Sequence, residues 1–151
     1  NGVVTHPYES TDDLLHLLNQ HWPNHDLLIM AAAVADYRPA QTDTGKLERT
    51  AEGLTLRLES TPDLVAACAA GKRPDQRIIA FALEDPAHLA ERAQAKLRRK
   101  GVDAIVANPL DTMNSPDIDA TVITADGRTE SPGRMTKDTF ARWLIEWADG
   151  W

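Results

Sequence analysis

The feature that most limits the possible folds is a repeated alternation between short apolar runs and helical patterns. Three runs, 26–33, 77–82 and 102–107, are almost continuously apolar, as parallel strands covered on both faces need to be. Helical patterns separate them, and strand–helix–strand units of this kind wind right-handed around a parallel sheet. The chain is therefore predicted to be an α/β protein, a Rossmann-like three-layer sandwich with a mainly parallel sheet.

Local capping signals predict where the helices begin and end. Ser10, with Asp13 three residues later, is typical of a helix N-terminus. Thr61 is predicted to cap a second helix, with a proline in its first turn. A third helix is expected over about 85–100, and Thr136 is expected to cap the last one.

Three further segments are predicted to be extended. Residues 2–5 are typical of the end of a strand. The stretch 38–58, with glycines around a polar loop, predicts an extended arm or hairpin rather than a helix. Near the C-terminus, 119–124 followed by an Asp-Gly turn at 126–127 predicts a β-hairpin.

The composition is that of one globular domain covering residues 1–151, long enough to bury a core without disulfides. No apolar run approaches the ~20 residues that span a bilayer, and no signal sequence is visible, so no membrane contact and a cytoplasmic location are expected. The net charge of −7 argues against nonspecific nucleic-acid binding. Cys68, which lies among alanines, is predicted to be a small buried thiol rather than a nucleophile.

One stretch, 31–39, is typical of a ligand site. An apolar strand leads into residues too small to fill a core, and then into Asp36 and further polar side chains. In open α/β sheets, ligands bind outside the carboxyl ends of the strands, so a nucleotide could lie here. The alternative is a strand that leaves the core into an ordinary loop.

A basic stretch near the end of the third predicted helix is a second candidate. Lys96 and Lys100 are four residues apart, which places both ammonium groups on one helix face, where they could share a polyphosphate. The alternative is a solvated helix face, because positive charge near a helix C-terminus is favoured by the helix dipole.

Three further observations do not indicate a functional site. Trp143, Trp147 and Trp151 are spaced four apart and favour core or interface packing over a stacking ladder for bases. The five histidines lack metal-ligand spacing, so no zinc site is expected. No Gly-x-Gly-x-x-Gly follows a predicted strand, which argues against a dinucleotide oxidoreductase.

Several separated segments, taken in order and with their spacing, resemble one family. They are 31–39, Lys46 at the head of a Lys-Leu-Glu-Arg stretch, 61–64, 80–82, the pair Lys96 and Lys100, and 103–108. Over about 26–124 the chain is similar to the ligase domain of the coenzyme A pathway, phosphopantothenate-cysteine ligase. In bacteria this domain is commonly fused behind a flavin-dependent decarboxylase.

The resemblance implies a two-step ligation. In that family, the carboxylate of 4′-phosphopantothenate attacks the α-phosphate of a nucleoside triphosphate, usually CTP in bacteria, with ATP as the alternative. The amine of cysteine then displaces the nucleotide and forms an amide. Mg²⁺ and fixed cations are needed because a carboxylate must approach a triphosphate that repels it. No flavin is expected in this segment.

The resemblance also assigns roles to residues. Lys46 matches the family's catalytic lysine, Asp36 would contact the nucleotide or its Mg²⁺, and Asn108 is a supporting residue. The remaining nucleotide-binding residues that the resemblance implies are Met30, Ala31, Ala32, Thr61, Pro62, Asp63, Leu64, Phe81, Lys96 and Lys100.

Two features of the family shape the expectations for the whole protein. Its domain begins with a strand, a glycine-rich loop and an asparagine that nothing before Asn1 matches, so this sequence is expected to be the later two thirds of a ligase domain. Family arms such as 37–58 reach a second protomer, which implies a homodimer. The alternative function is a noncatalytic nucleotide-binding or dimerisation module, favoured by the acidic Glu48 in the arm.

Overall fold

The computed structural model describes residues 2–41, 45 and 53–151. Its α-helices are α1 (Thr11–His21), α2 (Leu64–Ala70), α3 (Leu89–Lys100) and α4 (Lys137–Asp149). Short 3-10 helices cover Trp22–Asn24, Pro86–His88 and Leu110–Thr112. Within the described residues, no helix combines the length and the apolarity that a membrane-spanning segment needs.

The central sheet has five strands in the order β1-β4-β5-β7-β8. They are β1 (Leu27–Met30), β4 (Arg77–Glu84), β5 (Ala104–Pro109), β7 (Thr121–Thr124) and β8 (Thr129–Glu130). The pairs β1–β4 and β4–β5 are parallel, whereas β5–β7 and β7–β8 are antiparallel, so only β7 runs against the other four. The predicted α/β class with a mainly parallel sheet is confirmed.

Two small antiparallel pairs complete the strands. β2 (Tyr37–Pro39) pairs with β3 (Leu58–Ser60), and β6 (Asp117–Ile118) pairs with β9 (Met135–Thr136). The β2–β3 pair forms the base of the predicted arm, of which 42–44 and 46–52 lie outside the described residues. The predicted C-terminal hairpin is β7–β8, and its turn contains Gly127 at φ 90°, a value that favours glycine.

Helices cover both faces of the sheet, which gives the three predicted layers. Side chains alternate along β4, because successive residues of a strand point to opposite faces. Ile78 and Ala80 belong to the core shared with α1, α2 and α3, whereas Ile79 belongs to the core shared with α4. The buried Cys68 lies in the first core, and its burial raises the pKa of the thiol.

The three C-terminal tryptophans pack as predicted, two on α4 and one just after it. Trp143, Trp147 and Trp151 lie against the second core, and consecutive indole centroids are 6.3 Å and 4.8 Å apart. Thr136 caps α4 by accepting a hydrogen bond from the Thr139 N–H at 3.2 Å. Ser10 and Asp13 form the reciprocal capping box predicted for α1.

Several predicted boundaries were wrong. Residues 2–5 are exposed and have no strand partner in the described part of the chain, so they form no strand. The strand predicted over 26–33 ends at Met30, because the small residues after it leave the sheet. Asp63, not Thr61, caps α2: its carboxylate accepts the Ala66 N–H at 3.1 Å.

The amino-terminal edge of the sheet is held by a buried polar network. Gln76 is 1% exposed; its Nε2 donates to the carbonyls of Trp22 and His25, and its Oε1 accepts the Arg73 N–H at 2.7 Å. Asp103 accepts from Lys72 Nζ and, at 2.9 Å, from the Ile78 N–H. These contacts tie the starts of β4 and β5 together.

Candidate functional site

A cleft of about 510 Å³ opens at the carboxyl ends of β1, β4 and β5. The segment after β1 forms one wall, the start of α2 forms another, and the basic face of α3 closes the side. Because the carboxyl ends of parallel strands meet at one edge, segments far apart in sequence come together here.

The first wall is built from small side chains. Residues 31–35 line the cleft after the buried Met30, and Asp36 lies at their end with an exposed side chain. Thr61 joins this wall to the next, because its N–H donates to the Asp36 carbonyl at 3.0 Å and its hydroxyl donates to the Ala35 carbonyl. The Asp36 carboxylate makes no ion pair with the described part of the chain.

The second wall carries a paired carboxylate. Asp63 Oδ1 lies 3.0 Å from Lys100 Nζ, and the same oxygen caps α2. Burial alone would raise the pKa of Asp63, but the Ala66 N–H and the Lys100 ammonium outweigh it, so that the pKa lies below its ordinary value. Asp63 therefore stays charged near neutral pH and fixes Lys100 at the cleft.

Lys96 pairs with Glu84, a carboxylate that the sequence analysis did not identify as a site residue. Glu84 ends β4 with 6% of its surface exposed. Its Oε1 lies 2.5 Å from Lys96 Nζ, and its Oε2 lies 3.7 Å from Arg92 Nη1. Oε1 accepts no hydrogen bond from the described residues, so its contact with Lys96 is an ion pair. A carboxylate directly after an apolar strand was the available signal.

The floor of the cleft contains an aromatic ring and an unsatisfied amide. Phe81 is half-buried on β4, and Asn108 lies opposite Leu83 in the β4–β5 register. Asn108 Oδ1 is buried and accepts no hydrogen bond from the residues that the structure describes. A buried acceptor without a donor is unfavourable by ~1–3 kcal/mol, which a ligand N–H or O–H could offset.

The structure brings together every sequence-predicted site residue that it describes. Those lining the cleft are Met30, Ala31, Ala32, Asp36, Thr61, Pro62, Asp63, Leu64, Phe81, Lys96, Lys100 and Asn108. Lys46 and Glu48 lie outside the described residues. The roles of all these residues stay predictions, because a shared cleft does not by itself identify its ligand.

The cleft is suited to a ligand with a polyanionic part. Lys96 and Lys100 lie on one face of α3, and the small residues of the cleft let a ligand approach the backbone. In the described ranges, no three His, Cys, Asp or Glu side chains gather so that they could hold a metal ion by themselves. Mg²⁺ needs only one or two carboxylates when substrate phosphates complete its shell, and Asp36 fits that arrangement.

Comparisons with known proteins agree with the family resemblance. The model of the DNA/pantothenate metabolism flavoprotein C-terminal domain matches residues 1–150. A coenzyme A biosynthesis bifunctional protein CoaBC from Mycobacterium bovis is 37% identical over 157 aligned residues, which cover 96% of this chain and 38% of that protein. The chain thus spans well under half of that relative.

Solved structures share the fold. The C-terminal domain of a CoaBC protein superposes with a TM-score of 0.78 at 33% identity, covering 97% of this chain and 64% of that one. A Cab2 mutant in complex with phosphopantothenate-cysteine superposes with a TM-score of 0.70 at 20% identity, covering 96% and 52%. The second likeness concerns the fold alone.

Proposed function

Because the chain belongs to the DNA/pantothenate metabolism flavoprotein C-terminal domain family, we propose that it carries much of a phosphopantothenate-cysteine ligase site of coenzyme A biosynthesis. The observation that carries this proposal is the single cleft into which five separate segments bring small residues, two lysines and an aromatic ring. The name of the mycobacterial relative and the ligand of the Cab2 complex support the choice of substrates.

The proposed reaction begins with activation of a carboxylate. The carboxylate of 4′-phosphopantothenate attacks the α-phosphate of CTP, or of ATP, and the bond to the departing pyrophosphate breaks. The cysteine amine then attacks the acyl carbon, forms the amide and releases the nucleoside monophosphate. Both steps depend chiefly on positioning and on stabilising phosphate charge.

The cleft residues divide between the two ends of the nucleotide. Lys96 and Lys100 would face the phosphates, where their ammonium groups offset negative charge. Phe81 would pack against the nucleoside. Asp63, being charged, repels phosphate, so the segment 61–64 suits the ribose hydroxyls instead. The small residues Ala31 and Ala32 would let the nucleotide approach the backbone.

Mg²⁺ is proposed to accompany the triphosphate. When bound, it would neutralise part of the phosphate charge and so ease the approach of the carboxylate. Asp36 would hold it, since its carboxylate borders the cleft and has no competing ion pair with the described residues. Lys46 would stabilise charge on the acyl phosphate from the arm.

The proposal extends to the whole polypeptide. A cytoplasmic homodimer, with arms exchanged between protomers, is proposed from the family resemblance. A flavin-dependent decarboxylase domain in the same polypeptide is proposed because the mycobacterial relative is a bifunctional protein and this chain spans 38% of it.

The test is pyrophosphate release by the full natural polypeptide that carries this chain. Release should require CTP or ATP, Mg²⁺ and 4′-phosphopantothenate together, and should fall by at least ~100-fold in Lys46→Gln, as when a charge-stabilising group is lost. Nucleotide binding without pyrophosphate release would favour the noncatalytic module instead. Unchanged turnover in Lys46→Gln would contradict the role of Lys46.

A further inference from the structure

A buried carboxylate stands directly behind one of the two cleft lysines. Glu84 is 6% exposed, whereas Lys96, its partner at 2.5 Å, lines the cleft. We propose that Glu84 is a positioning residue that fixes the Lys96 ammonium for the reacting phosphates. This inference rests on the proposed function, because it names a further residue of the same site.

Because Glu84 is buried, its negative charge must be compensated by neighbouring cations. A carboxylate removed from water is unfavourable unless cations and hydrogen bonds compensate it. Lys96 and Arg92 supply the cations from successive turns of α3. Since Oε1 accepts no hydrogen bond from the described residues, the Lys96 ammonium is its closest compensation. Because its ammonium is already fixed by Glu84, Lys96 loses little side-chain conformational entropy when a ligand binds.

The second lysine is anchored differently. Lys100 pairs with Asp63, whose side chain is 43% exposed, whereas the side chain of Glu84 is 7% exposed. Water can solvate the Asp63 carboxylate, but it has little access to Glu84. The Glu84–Lys96 pair is therefore the one in which the carboxylate depends on its protein partners.

Glu84 should affect the rate rather than the attraction of the nucleotide. Its negative charge repels a triphosphate, so its removal strengthens the long-range attraction of the cleft. Its removal also frees Lys96 to take positions in which it no longer stabilises charge during the reaction. A residue that served folding alone would not separate these two effects.

The experiment compares Glu84→Gln with wild type in the full natural polypeptide, by pyrophosphate release. We expect kcat to fall about tenfold while KM for the nucleotide stays unchanged or falls. The matched control is Glu91→Gln, which makes the same charge change at an 86% exposed side chain on α3, the helix that carries Lys96, and should leave both constants unchanged. If Glu84→Gln does not fold, Glu84→Asp carries the same test, because it retracts the charge from Lys96.

A double-mutant cycle shows whether Glu84 acts through Lys96. In a Lys96→Met background, Glu84→Gln should lower kcat no further, because the group that it positions is gone. Additive losses of kcat, an unchanged kcat in Glu84→Gln or a raised KM alone would each overturn the inference. A wild-type protein without turnover would instead overturn the proposed function on which it rests.

Discussion

The two edges of the central sheet use polar residues in opposite ways. At the amino-terminal edge, the polar atoms of Gln76 and Asp103 are matched by partners at hydrogen-bond distance. At the carboxyl edge, Asn108 Oδ1 accepts no hydrogen bond from the described residues, and Asp36 has no ion pair with them. The first edge is built to hold strands together, and the second leaves groups available to a ligand.

The contrast shows why polarity alone does not mark a site. Both edges contain buried amides and lysine–carboxylate pairs, and sequence inspection cannot separate them. What differs is whether the polar atoms are hydrogen-bonded. Those of Gln76 and Asp103 are, which stabilises the fold, whereas Asn108 Oδ1 is buried without a donor among the described residues, which is unfavourable until a partner arrives. Substitutions at the two edges should therefore change stability and activity in opposite proportions.

The largest effect is expected at Gln76. Gln76→Leu keeps a similar volume but removes three hydrogen bonds at a 1% exposed position. The Arg73 N–H and the His25 carbonyl lose the partner that Gln76 supplies, whereas the Trp22 carbonyl keeps the His25 N–H. We expect a loss of about 3 kcal/mol in the free energy of unfolding. The melting temperature should fall by about 10 °C. Gln94→Leu, on the exposed face of α3, is the control and should change the melting temperature little.

A smaller loss of stability is expected at Asp103. Asp103→Ala removes the acceptor of both Lys72 Nζ and the Ile78 N–H, and its pair with Lys72 is only about one-fifth exposed. We expect about 2 kcal/mol of destabilisation in urea unfolding. Asp119→Ala, an exposed carboxylate deletion, should stay within about 0.5 kcal/mol of wild type. Equal effects of the two variants would contradict the structural role of Asp103.

An amide-to-leucine change at the carboxyl edge, Asn108→Leu, should lower turnover without lowering stability. Asn108→Leu replaces a buried amide oxygen that accepts no hydrogen bond from the described residues, so stability should stay the same or rise by about 1 kcal/mol. Turnover should fall about tenfold, because the ligand loses an acceptor. Thermal unfolding and pyrophosphate release on the same sample check both expectations. A loss of stability as large as that of Gln76→Leu would erase the contrast between the edges.

The smallest effect concerns the pH dependence of Asp63. Its pKa lies below the ordinary value of 3.8, so ionised Asp63 stabilises the fold above that value, and this stability is lost as pH falls through the folded-state pKa. Asp63→Asn keeps the cap of α2 but loses the Lys100 pair, whose carboxylate is 43% exposed. We expect a difference of about 0.5 kcal/mol at neutral pH.

That difference should shrink as the solution is acidified below about pH 4 and should vanish once the wild-type carboxylate is protonated. Urea unfolding of both proteins at several acidic pH values provides the measurement. A stability difference that persisted in strong acid would show that Asp63 acts through its shape rather than its charge.

The fold was largely predictable, because its signals are local or periodic. Continuous apolar runs predicted the parallel strands, and the threonine at 136 marked the start of α4. The family resemblance is confirmed by the family match over residues 1–150. The cap of α2 was wrong by two residues, because the helix begins at Leu64, where the Asp63 carboxylate accepts the Ala66 N–H. The Thr61 hydroxyl instead donates to the Ala35 carbonyl, a contact that depends on the tertiary fold.

The site was predictable where side-chain size and charge are visible in sequence. Small residues after β1 and the lysine spacing on α3 indicated the cleft. The role of Glu84 was not predictable, because it depends on burial and on which turn of α3 faces β4. The unsatisfied oxygen of Asn108 was equally hidden, since satisfaction depends on every neighbour at once.

Hydrogen–deuterium exchange of the full natural polypeptide, with and without CTP and Mg²⁺, tests the difference between the two edges most directly. The nucleotide should protect amides in 31–36, 61–65 and 80–83, which line the cleft, and should leave 73–78 at the opposite edge unchanged. Protection confined to 73–78, or no protection at the cleft at saturating nucleotide, would contradict the assignment of the carboxyl edge as the nucleotide site.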